Sequence, residues 1–124
     1  MILTSHELAG TDAADVGNIC NAGPNSIKIE AIYLVPNLAV TANDTNYITL
    51  TVANDGTTVA TANTTAASGA AHVEGTPQAM TITATGDSLL IEAGSVLSVD
   101  VAKAGTGPAY AFTVAVQATP VRES

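Results

Sequence analysis

The chain has few of the residues that most functional sites require. Its 124 residues include one cysteine, two histidines and no tryptophan. A single Cys20 excludes an internal disulfide, and because no histidine or cation lies near it in sequence, we expect a small buried apolar residue and not a reactive thiol. Neither His6 nor His72 has a second ligand-type residue at metal-site spacing. We therefore expect two isolated exposed histidines, no metal and no cofactor.

Positive charge is also scarce. Only Lys28, Lys103 and Arg122 oppose the acidic side chains, and the formal net charge is -8. Because nucleic-acid binding requires clustered Lys and Arg, we expect no nucleic-acid partner. No apolar run approaches the ~20 residues of a membrane span, and the N-terminus lacks the ordered regions of a signal peptide. We therefore expect no membrane association and no classical export signal.

Catalytic patterns are missing from the sequence as well. No nucleophile-elbow glycine pattern accompanies Ser or Cys20. The stretch 105–107, Gly-Thr-Gly, joins two predicted strands and not a strand and a helix, which excludes a dinucleotide loop. The aspartates do not follow calcium-loop spacing. We expect no catalytic residue and a protein that is not an enzyme.

The clearest structural pattern is a hairpin within residues 43–62. Apolar and hydroxyl residues alternate strictly over 48–53, which predicts a half-buried strand. The turn residues Asn54, Asp55 and Gly56 follow, and a second strand is predicted over 57–63. A three-residue loop with left-handed Gly56 keeps polar groups off the core side. That register pairs Thr58, Ala60 and Ala62 with Val52, Leu50 and Ile48.

Similar alternation recurs along the chain, and Gly, Pro, Asn and Asp clusters separate the segments. Further strands are predicted at 16–20, 26–35, from Pro77 onward, and at 88–92, 95–103 and 109–119. The pattern favours an all-β protein, a single β-sandwich of about eight antiparallel strands. Residues 64–75 are expected to connect the two sheets at the surface. A jelly-roll-like order is favoured, although alternation alone does not separate it from an immunoglobulin-like one.

Two regions lack an obvious covering surface. The second half of the strand at 26–35 is apolar on both sides, which predicts either a central strand covered by a loop or a face against another subunit. Residues 1–21 are predicted to be an extended N-terminal arm with a short strand at 16–20, followed by a sandwich domain at 22–124. The first fifteen residues have weak periodicity, so we expect them to need a partner to become ordered.

Two long stretches resemble a known family. They are IKIEAIYLVPNLAVTANDTNYITLTVANDGTT and SLLIEAGSVLSVDVAKAGTGPAYAFTVAVQA. Over residues 26–118 the chain resembles the small jelly-roll decoration (cement) proteins of tailed-phage heads. The most characteristic pieces are 41–50, 93–99 and the turn at 105–108. The resemblance does not include the N-terminal arm.

This resemblance implies a non-enzymatic virion protein that is made in the host cytoplasm and sits on the outer capsid surface. It implies a homotrimer that binds the major capsid protein and stabilises the shell by bridging coat subunits. An acidic surface is compatible with a position outside the shell, away from packaged DNA. We expect an intersubunit or capsid interface formed by Ile32, Tyr33 and Leu34, together with arm residues Met1, Ile2, Leu3 and Leu8.

Two other functional classes stay open. The first is a receptor- or carbohydrate-binding β-sandwich module of a virion or cell surface, because such sandwiches often display ligand loops. The second is a metal-dependent cupin-like enzyme, which the missing histidine pair disfavours.

Overall fold

The chain forms two antiparallel sheets. The computed structural model describes residues 2–4, 8–10, 16–21, 25–105 and 109–121. Within these ranges, one short 3-10 helix occurs at Gly86–Leu89, and no helix has the length and apolar character needed to span a membrane. The strands are β1 Ile2–Thr4, β2 Leu8–Gly10, β3 Val16–Cys20, β4 Ile27–Pro36, β5 Tyr47–Asn54, β6 Thr57–Asn63, β7 Gln78–Ala79, β8 Thr81–Ile82, β9 Leu90–Ile91, β10 Val96–Ala104 and β11 Tyr110–Pro120.

The strand pairing is nested. β1 and β2 pair with β11, β3 pairs with β10, β4 with β9, and β5 with β6, all antiparallel. One sheet has the order β1-β11-β4-β7, and in it β2 also pairs with β11 and β9 with β4. The other sheet has the order β3-β10-β5-β6-β8. This is a long hairpin rolled into two layers, the jelly-roll order. The predicted all-β sandwich is confirmed.

Side chains that alternate along the long strands form the core. In β11 every second residue is buried, from Tyr110 to Ala118. In β10 the buried positions are Leu97, Val99 and Val101, as predicted. Because each fully buried aliphatic side chain contributes about 1.5–3 kcal/mol, this alternation is the main stabilising feature of the sandwich.

The turn of the β5–β6 hairpin differs from the prediction. Asn54 pairs with Thr57, so the connection has two residues and not three. Both connecting residues have positive φ, 51° at Asp55 and 81° at Gly56. Asp and Gly tolerate these angles, and a two-residue turn of this kind matches the twist of the paired strands.

A bulge in β6 then corrects the pairing along the hairpin. Thr58 pairs with Ala53, but Ala60 pairs with Val52, which leaves Val59 as the extra residue. Beyond the bulge, Ala62 faces Leu50. The predicted register is therefore wrong by two residues. The requirement that polar groups stay off the core side is nevertheless met, because alanines and not polar residues face the apolar positions of β5.

The segment after Pro77 was predicted as one strand but contributes to both sheets. β7 pairs with β4 in the first sheet, and β8 pairs with β6 in the second. Met80, between them, is buried and donates its backbone N–H to Ile32 O at 2.8 Å. The connection at 64–77 therefore leads from one sheet to the other, as expected for 64–75.

The N-terminal strands belong to the sandwich. β3 lies where a short strand was predicted, whereas β1 and β2 pair with β11 of their own chain. Strands from both sides of the predicted boundary after residue 21 therefore share the sandwich. Cys20 is exposed, contrary to the prediction. Since Ile19 is buried, alternation at this edge strand turns Cys20 outward.

Candidate functional site

The three predicted interface residues of β4 do not share one face. Ile32 and Leu34 are 1% and 0% exposed and lie in the core between the sheets. They are not available to another subunit, so this part of the prediction is wrong. Tyr33 points the other way and is 38% exposed. The second half of β4 alternates like the first half, and its outer side is only partly covered.

The predicted arm contacts lie beside β11. Leu3 pairs with Val116 and is half-buried against the core. In backbone register, Ile2 pairs with Gln117 and Leu8 with Phe112. Met1 and His6 lie outside the described residues. A contact of this segment with a neighbouring subunit stays a prediction, and any such contact would involve strands already in the first sheet.

The outer side of the first sheet has an uncharged centre. Tyr33 pairs with Ala115 of β11 and with Ala79 of β7. Val35 pairs with Thr113, and all these strands are held by backbone ladders, so the surface is firmly supported. We call this surface the Tyr33 face and define it by Ala31, Tyr33, Val35, Thr113, Ala115 and Gln117.

Charge occurs only at one end of this sheet's described outer side. Lys28 and Glu30 are both exposed on β4. Glu30 lies in the bulge where the β4–β11 register shifts, and its carboxylate accepts a hydrogen bond from Thr119 Oγ1 at 3.1 Å. The remaining carboxylates that the structure describes lie in connections, turns or the second sheet: Asp44, Asp55, Glu74, Asp87, Glu92 and Asp100.

The outer side of the second sheet has a polar centre. In register, Asp100 pairs with Thr51, Thr51 with Thr61, and Thr61 with Thr81. This row of hydroxyls with a carboxylate at its end crosses four strands. We call this surface the threonine face and define it by Thr49, Thr51, Thr61, Thr81, Ser98 and Asp100. Alternation of apolar and hydroxyl residues in β5 predicted its polar character.

One end of the sandwich carries a polar depression of about 310 Å³. Asn54 anchors it, because its Nδ2 donates to Ser88 O at 2.9 Å and to Leu90 O at 2.7 Å. The acidic residues around it are Asp55, Asp87 and Glu92. The sequence could not show that these carboxylates come to one place, since they lie in separate turns.

His72 is the residue that sequence reasoning missed most clearly. It was predicted to be exposed, but it is 2% exposed. Its ring packs edge-on against Phe112 with the centroids 6.4 Å apart. Burial lowers the pKa of His72 below its ordinary value. The flanking sequence has no periodicity, so nothing local indicated that this position turns inward.

The described residues contain no group of three or more His, Cys, Asp or Glu side chains that could hold a metal ion. The fold and its surfaces define a β-sandwich in which one outer face has an uncharged centre and the other a polar centre. Compared with models of protein families, with curated proteins and with solved structures, the chain matches none.

Proposed function

We propose that the protein is a non-enzymatic structural protein of a tailed phage, which binds the outer surface of the capsid as a homotrimer. Its partner is the major capsid protein, and it stabilises the shell by bridging coat subunits. The Tyr33 face is the observation that supports this proposal most directly. A supported, uncharged sheet surface with an exposed tyrosine suits a protein–protein contact, because tyrosine is enriched at such interfaces.

The charge distribution supports the same proposal. A net charge of -8 disfavours contact with packaged DNA and is compatible with a position outside the shell. A contact that buried many carboxylates would pay a large desolvation cost, and the Tyr33 face contains none. We therefore place the coat contact on this face and leave the acidic turns in solvent.

The rolled double sheet also suits a load-bearing role. Antiparallel ladders join β11 to β4 over nearly their full length, and β10 to β5 over eight residue pairs. These ladders connect strands that lie far apart in the sequence. A surface on such a sheet changes little on binding, which keeps the entropy cost of association low.

Co-sedimentation with purified capsids tests the coat contact. We expect the wild-type protein to pellet with capsids and Tyr33→Glu to bind at least about tenfold more weakly, because the substitution buries an unpaired charge in the contact. The matched control is Thr61→Glu, which adds the same carboxylate to a strand of the second sheet. This control should bind like the wild type.

Failure of the wild-type protein to pellet, or equal binding by both variants, would contradict the proposal. Light scattering of all three proteins tests the trimer separately, and a monomer at micromolar concentration would contradict it. Deletion of residues 1–21 is less suitable as a test, because it removes β1, β2 and β3 from the sandwich.

A further inference from the structure

The imidazole of His72 is buried without a hydrogen-bond partner. Within the part of the chain that the structure describes, neither Nδ1 nor Nε2 has a partner, and the residue is 2% exposed. Buried polar atoms in folded proteins are almost always hydrogen-bonded, so this ring requires an explanation. This buried site accommodates the neutral imidazole but strongly disfavours the imidazolium. The charged ring would bury two N–H donors and a positive charge without partners.

The ring lies where two connections cross over the end of the core. His72 N donates to Val40 O at 2.9 Å, and Val40 N donates to His72 O at 3.1 Å, which links 64–77 to 37–46. A third bond from Gly75 N reaches Pro36 O at 2.8 Å. Below them, the ring contacts Phe112 of β11 at an interplanar angle of 69°. His72 therefore holds both connections at the core, through its backbone bonds to Val40 and the contact of its ring with Phe112.

Nothing on the surrounding described elements offers the ring a compensating charge. Asp44, on the opposite connection, is exposed, and its carboxylate accepts a hydrogen bond from Ala67 N at 2.9 Å. Glu74 is exposed as well. Residues 110–120 contain no charged side chain. The titratable and charged groups on the elements around the ring are Asp44, Glu74, Lys28, Glu30, Tyr33 and Tyr110.

We propose that His72 is an acid-operated latch, which holds the connections 37–46 and 64–77 against the core when neutral and releases them when it takes up a proton. The proton comes from solvent, and the charged ring leaves its place to be hydrated. Both sheets stay paired, because their ladders are long while only a few backbone hydrogen bonds join the connections. This proposal is independent of the capsid function.

The direction of the pH effect follows from linkage. Burial lowers the pKa of His72 below its ordinary value of 6.5, so the closed form binds fewer protons than the open form in mild acid. The stability of the closed form is complete above that value. It decreases as the pH falls through 6.5 toward the lower pKa of the buried ring.

Amide hydrogen exchange at about pH 7.5 and about pH 5.0, corrected for the intrinsic exchange rate, tests the latch. In the wild type we expect opening at the Val40 and His72 amides to increase at least about tenfold in acid, with the β4–β11 amides unchanged. His72→Phe keeps an apolar ring in place and should lose this response. His6→Gln removes the other histidine and should keep it.

An unchanged acid response in His72→Phe would overturn the latch, and so would loss of protection in both sheets together. If His72→Phe does not fold, the wild-type imidazole can be titrated by NMR. A midpoint clearly below 6.5 supports the latch, and a midpoint at or above that value overturns it.

Discussion

The two outer faces of the sandwich share the same construction but differ in chemistry. On the Tyr33 face, small and uncharged residues surround an exposed tyrosine. On the threonine face, hydroxyls form a row that ends at Asp100. Both lie over one apolar core, so the fold places few demands on either outer side. Outward-pointing residues can therefore differ in chemistry between the two sheets without any change to the core.

Hydration explains why the faces are suited to different roles. A row of hydroxyls and a carboxylate is well solvated, and removing its water costs free energy unless a partner replaces each hydrogen bond. Alanine, valine and tyrosine surfaces lose little on desolvation and gain from apolar burial. On these grounds we assign the contact with another protein to the Tyr33 face and solubility to the threonine face.

The largest expected effect is a difference in the free energy of unfolding between substitutions on the inner and outer sides of β4. Leu34→Ala should reduce the free energy of unfolding by about 2–5 kcal/mol, because it leaves a cavity in a fully buried site. Its neighbour variant Tyr33→Ala should cost about 1 kcal/mol or less, because that ring is partly exposed. Urea unfolding of the two variants measures the difference, and equal losses would contradict the assignment of sides.

A smaller effect is expected from single charges moved between the faces. Gln117→Glu adds a carboxylate to the Tyr33 face without changing side-chain size, and we expect capsid binding to weaken about three- to tenfold. Asp100→Asn removes a carboxylate from the threonine face and should leave binding unchanged. Binding isotherms with purified capsids decide this, and a stronger effect of Asp100→Asn would reverse the roles of the faces.

The smallest expected effect is that of salt. A contact made by uncharged residues is little screened, so capsid affinity should change less than about threefold between low and high salt. A contact through the acidic turns near Asp55 and Asp87 would weaken steeply over the same range. Co-sedimentation across a salt series measures this, and a steep decline would place the contact at those turns.

Much of the fold was predictable because it depends on local alternation. The buried positions of β5, β10 and β11 follow from period-two patterns, which fix a strand and its inner side together. The β6 bulge at Val59 was not predictable. A three-residue loop without this β6 bulge and a two-residue turn with it both place the same β5 residues on the inner side. The two registers differ only in which β6 residue pairs with each β5 residue.

The positions that were wrongly predicted depend on distant parts of the chain. His72 is buried because residues near Val40 pair with it, and Ile32 and Leu34 are covered by a sheet whose strands lie elsewhere in sequence. Cys20 is exposed because β3 is an edge strand. None of these relations leaves a local signal. The Tyr33 face had a partial signal, since apolar residues occupy both sides of β4.

Photo-crosslinking on assembled capsids would identify which outer face contacts the coat protein. A photoreactive benzoylphenylalanine would replace Gln117 on the Tyr33 face or, as the matched position, Thr81 on the threonine face, both of which are exposed. We predict a crosslink to the coat protein from position 117 and none from position 81. A crosslink from position 81 alone, or none from position 117 while the protein is bound, would contradict the assignment.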